Sequence, residues 1–164
     1  MIARHSSRWI RLAVLSLSAL VAAVLVGSVA AASPCKKVNG KLTLQALPPT
    51  TCASAISLCA SATLSGDLSG VSSFVGTSQV ATADTAATGV IVLTGDNAIH
   101  TSGGTLLTKD AIVLQTTGDG QFGEVDTVVG GTGEWAGATG AFRAQGTFAN
   151  GVGVGEYIGE ICTP

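Results

Sequence analysis

Short runs of alternating apolar and polar residues, separated by glycine, fill the chain from about residue 36 onward and predict strands. Leu42, Leu44 and Ala46 alternate with Lys41, Thr43 and Gln45, and Pro48-Pro49 ends that run. Later runs predict strands near 60–70, 73–82, 88–95, 104–116, 122–130, 140–149 and 152–162. Gly70, Gly76, Gly95-Asp96-Asn97 and Gly103-Gly104 fall between or at the ends of these runs. Asp119-Gly120 and Asn150-Gly151 are hairpin signals, because both dipeptides tolerate the positive φ that a tight two-residue turn demands. Thr50 to Ser61 is a cysteine-bounded loop with room for one helical turn over 53–58.

Strands about ten residues apart, joined by hairpins, describe an up-and-down sheet. Eight of them closing on themselves remove the exposed edges and leave a lumen that side chains or one small ligand can fill. The fold class expected is therefore all-β, a single eight-stranded antiparallel barrel. At its centre lies the stretch 127–142, where Gly130, Gly131, Gly133, Gly137 and Gly140 surround Trp135. It reads as a strained corner between two strands, with Trp135 as its plug.

The alternation also defines faces. Phe142, Ala144, Gly146 and Phe148 oppose Arg143, Gln145 and Thr147, and Phe122, Glu124 and Asp126 oppose Gly123, Val125 and Thr127. Which face looks inward is not fixed by one strand's period.

The first 32 residues read differently. Arg4, Arg8 and Arg11 precede an apolar run from Leu12 to Val29, and Ala30-Ala31-Ala32 follows. This is the layout of a cleaved secretory signal, with a membrane anchor as the competing reading because the run nears the ~18-residue span threshold. The expected division is 1–32 signal and 33–164 barrel, the latter split into strand plus disulfide loop (33–61) and barrel hairpins (62–164). After cleavage five basic residues face ten acidic ones, a formal charge of −5. With no basic cluster, nucleic acid is excluded as a partner, and no stable membrane anchor remains.

Cys35, Cys52, Cys59 and Cys162 all lie in the exported part, so disulfides are expected. Cys52–Cys59 with Cys35–Cys162 is preferred, and Cys35–Cys52 with Cys59–Cys162 is the rival. Zinc is disfavoured, because no Cys-x-x-Cys pair exists. No metal and no cofactor are expected.

Candidate chemistry is sparse. The Gly131-Thr-Gly133 run imitates a dinucleotide loop, but its third glycine is misplaced and a strand follows where a helix is needed. Asp119, Glu124 and Asp126 do not match an EF-hand spacing. His100, beside Thr101-Ser102, reads either as a general base or, preferably, as an exposed residue near a strand end. Glu124, Asp126, Arg143 and Glu156 read as one shared face. Inside the lumen they would be acids with raised pKa and an arginine anion clamp. Outside, they would be a solvated face of weak ion pairs, the preferred reading.

The corner Gly130-Gly-Thr-Gly-Glu-Trp-Ala-Gly-Ala-Thr-Gly140 resembles the glycine corner shared by allene oxide cyclases and dirigent proteins. Cys52…Cys59, Thr63-Leu-Ser-Gly-Asp-Leu-Ser-Gly70 and Gly155-Glu-Tyr-Ile-Gly-Glu-Ile-Cys162 resemble small secreted bacterial proteins of that barrel superfamily. The resemblance spans most of 50–164. It implies an eight-stranded barrel and a homo-oligomer, and it supplies no site residue, since the corner is structural. The function expected is a secreted, disulfide-tied barrel that binds a small apolar molecule or serves structurally, without catalysis. The alternative is a cyclase-like or dirigent-like enzyme that confines a hydrophobic substrate. An enzyme requires an open lumen of a few hundred Å³ with at least one buried ionisable group, whereas a binder can have an apolar lumen and a structural protein a filled one.

Overall fold

Alternation of side chains along each strand closes the sheet on an apolar interior. The computed structural model describes residues 34–81 and 89–164; the expected signal sequence and its cleavage boundary lie outside the described residues. The strands are β1 (Cys35–Ala46), β2 (Cys59–Gly66), β3 (Gly70–Ala81), β4 (Val90–Thr101), β5 (Gly104–Gln115), β6 (Gln121–Gly131), β7 (Thr139–Ala149) and β8 (Val152–Cys162). They form one closed antiparallel barrel in sequence order. The seam is long, running from Cys35 opposite Cys162 to Gln45 opposite Val152. Among the described residues no helix is long and apolar enough to cross a membrane.

Both preferred disulfides are present, Cys35–Cys162 across the seam and Cys52–Cys59 around the loop after β1. Two such bonds indicate folding in an oxidising environment. The loop carries a 3₁₀ turn at Pro49–Thr51, not a helical turn over 53–58. It is fastened to β3 instead: the Gly76 amide donates to the Leu58 carbonyl (2.8 Å) and the Ser54 hydroxyl donates to the Gly76 carbonyl (2.5 Å).

Several glycine readings change. Gly95-Asp96-Asn97 is no turn; β4 runs through it to Thr101. A β-carbon on Gly95 would come within 2.2 Å of the Phe74 ring, so this glycine makes room for an aromatic inside the barrel. Gly76 likewise lies within β3, beside a register shift. Asn150-Gly151 is the expected two-residue hairpin, both residues at positive φ (55° and 81°). Asp119-Gly120 is part of a longer link, 116–120.

The two ends of the barrel differ. At the end where β2 turns into β3, Leu68 is 0 % exposed and packs with Val38, Leu106, Val128 and Ile161. β2 therefore stops at Gly66, and the turn inserts Leu68 as the plug. Trp135, the expected plug, is half-buried beside this core, in the single 3₁₀ turn Gly133–Trp135 between β6 and β7. Its Nε1 donates to Thr101 Oγ1 at 3.0 Å. Gly133 is required there: its φ is +63°, and a β-carbon would lie 2.1 Å from the Gly103 carbonyl.

Tyr157 spans the interior between plug and lumen. Its hydroxyl donates to the Ser65 carbonyl (3.0 Å) and accepts from the Leu68 amide (2.8 Å). Tyr157→Phe leaves the buried Leu68 amide without a partner. It is expected to lower stability by about 1–3 kcal/mol in urea unfolding; an unchanged midpoint contradicts the plug's anchoring.

Candidate functional site

The end opposite Leu68 is hollow. A cavity of about 200 Å³ reaches from Ala46, Leu58 and Phe148 down to Asn97, Glu124 and Asp126. Its walls are apolar, with Leu44, Leu93, Ile112 and Phe122 among them. The loop held by Cys52–Cys59 contributes Leu58 at the hollow end.

Strand register sets the polar floor. On β6, Phe122, Glu124, Asp126 and Val128 point inward. Asp126 stands opposite Asp110 of β5, and Glu124 opposite Ile112. Asp110 and Asp126 are 3 % and 2 % exposed. One carboxylate oxygen from each of Asp110, Glu124 and Asp126 lies within 4.8 Å of the other two. On the β4 side Asn97 faces Thr108, whose hydroxyl donates to Asp110 Oδ1 at 2.5 Å.

Three carboxyls held this close inside an apolar barrel resist ionising together. Burial pushes Glu124 up to about 8, and the Asp110 charge adds to it. Burial also holds Asp126 well above the usual carboxylate range, with the charges of Glu124 and Asp110 adding. Asp110 is raised by burial as well, against the opposing pull of its hydrogen bonds to Thr108 and Asn97. At neutral pH the floor therefore carries at least one proton, and a protonated carboxyl can donate a hydrogen bond into the cavity.

The four residues read as one face separate into two. Glu124 and Asp126 face the lumen, while Arg143 and Glu156 are exposed on the outer wall. The reason is register: Glu124 pairs with Ala144, and Arg143 pairs with the outward Val125 and Ile158. The expected solvated face thus holds for Arg143 and Glu156, while Glu124 and Asp126 form an acidic floor without an arginine clamp. Glu156 accepts a hydrogen bond from Gln145 Nε2 at 3.0 Å, on the outside. His100 is exposed near the end of β4, its Nδ1 3.1 Å from Thr105 Oγ1, remote in role from the cavity. Asp119 is an exposed turn residue and does not join Glu124 and Asp126. β7 stands where a dinucleotide loop would need a helix.

Asp110, Thr108 and Asn97 were not expected at a site. The one available signal was the parity of β5, where Thr108 and Asp110 share a face with Leu106, Ile112 and Leu114.

No family model matches this chain, and no curated protein or solved structure matches it.

Proposed function

We propose that this is a secreted barrel of the allene oxide cyclase and dirigent-like superfamily that binds a small, largely apolar molecule in its lumen without transforming it. One observation carries the reading: the lumen holds a cavity of about 200 Å³ whose lining is mostly apolar, with its charged groups, Glu124 and Asp126, at the floor. A filled interior would suit a purely structural role; this one is hollow. The volume suits a ligand of roughly ten non-hydrogen atoms, smaller than most drug-sized ligands. The floor, holding protons and no cationic side chain, favours an alcohol, carbonyl or amine and disfavours an anion. The superfamily reading is supported by the eight-stranded up-and-down closure and the glycine corner between β6 and β7. Export is supported by the two disulfides.

Calorimetry in EDTA with octanol, octylamine and octanoate tests this. Octanol and octylamine are expected to bind and octanoate not to bind at pH 7. Ala144→Leu, which fills the cavity wall, weakens octanol binding by about tenfold or more; Arg143→Ala, on the outer wall, leaves it unchanged. No octanol binding, or equal binding by Ala144→Leu, contradicts the proposal.

A cyclase-like or dirigent-like enzyme is the second reading, and Glu124 favours it: a cavity-facing acid with a pKa of about 8 holds a transferable proton at neutral pH. Turnover of a hydrophobic substrate that disappears in Glu124→Gln while octanol binding persists would establish it.

A further inference from the structure

The acidic floor leaves oxygens without partners. Asp110 Oδ2, Asp126 Oδ2 and Asn97 Oδ1 are buried and accept no hydrogen bond. Other groups of the same cluster are well held: Thr108 donates to Asp110 Oδ1, and the Asn97 side chain hydrogen-bonds Asp110. Thr108 thus orients Asp110 by one oxygen, while the other faces only the neighbouring acids Asp126 and Glu124, an arrangement that proteins use for carboxylates that ligate metals. Asp110 directly opposite Asp126 on neighbouring strands costs stability unless something positive lies between them.

We propose that Asp110, Glu124 and Asp126 form a binding site for one hard divalent cation of the calcium class, with Asn97 Oδ1 as a neutral fourth donor. The donors are all oxygens, with no nitrogen or sulfur among them, and that set selects calcium, magnesium or manganese over zinc or copper. Two oxygens on opposite sides of a calcium ion, each about 2.4 Å away, are about 4.8 Å apart. The three acids, with oxygens within 4.8 Å of one another, are close enough to share one ion. The cavity above supplies room for water to complete the coordination shell. Among the described residues no other charged side chain faces the cluster: Lys109 on β5 points outward and pairs with Asp96, and β7 presents Phe142 and Ala144. The inference does not depend on the ligand reading, since a cation on the floor leaves the apolar part of the cavity free.

The test uses the purified, disulfide-bonded protein, cleared with EDTA and then melted in EDTA, CaCl₂, MgCl₂ or MnCl₂. At about a hundredfold excess over the dissociation constant, the preferred ion is expected to raise Tm by roughly 5–10 °C. Asp110→Asn and Glu124→Gln are expected to melt at or above the parent in EDTA, because each relieves repulsion, and to lose the ion-dependent rise. Calorimetry of the parent should give one ion per chain. No shift with any of the three ions, an equal shift in both variants, or only multiple weak sites would overturn the proposal and leave protons as the sole bridge between the acids.

Discussion

Replacing Cys35 and Cys162 together by alanine is expected to cost about 5 kcal/mol of unfolding free energy, roughly twice the ~2.5 kcal/mol expected for the Cys52, Cys59 pair. The cross-links close loops of very different length, with sequence separations of 127 and 7. In the chain-entropy account, the longer loop takes more freedom from the unfolded state. The long tie also lies on the β1–β8 seam, where Cys35 and Cys162 are register partners at the plugged end. A domain of this size has a total stability of about 5–15 kcal/mol, so losing the seam bond leaves little margin. Urea unfolding of the two double variants checks this. A short-loop variant as destabilised as the seam variant would contradict it.

The second large effect runs against the usual behaviour of acids. In EDTA, stability is expected to fall by on the order of a few kcal/mol as pH rises from about 5 through about 8. The direction follows from burial. The folded state holds the Glu124 proton up to about 8, whereas the unfolded chain gives it up near the ordinary value of 4.5. Between those values the unfolded state binds fewer protons, so raising pH favours unfolding. Asp126 and Asp110, also raised, act in the same direction, with the loss beginning just above the ordinary aspartate value of 3.8. Glu124→Gln keeps the shape without the titration. It should flatten much of the slope and melt higher than the parent at pH 8. A parent whose stability instead rises over this window would contradict a floor of buried acids.

How much of this was legible in the sequence depended on whether the signal was local. Asn150-Gly151 has both residues at positive φ, and dipeptide chemistry alone announces that turn. The alternation of β7, with Phe142 and Ala144 against Arg143 and Gln145, is clean because one face is small or apolar and the other polar. The preferred disulfides followed from a local loop and a tie between chain ends; both bonds are present, and Cys35 and Cys162 are also register partners. Gly95 misled because a glycine that yields space to Phe74 looks, in one dimension, like a glycine that turns the chain. Leu68 was hidden for a related reason: a buried residue in a hairpin turn breaks the strand period just where the plug is formed.

The site was the least legible part. Whether Glu124 shares a face with Arg143 depends on pairing between strands, and single-strand periodicity holds no information about it. Asp110 was harder still. Its neighbours on β5 offer apolar residues on both faces, Leu106 and Ile112 on one and Leu107 and Val113 on the other, so parity could not tell inward from outward. A buried carboxylate is also an uncommon choice for a barrel interior. Its presence becomes intelligible only beside Asp126, sixteen positions on in sequence and directly opposite in the sheet.

The most direct test is a carbon-13 NMR titration of the side-chain carboxyls in the oxidised protein, in EDTA. The account predicts that Glu124 titrates near pH 8, far above the ordinary glutamate value of 4.5. It also predicts that the Asp110 and Asp126 resonances respond to the same proton. If Glu124 instead titrates near the ordinary value of 4.5, the acids do not line a closed lumen and the reading of the site is wrong.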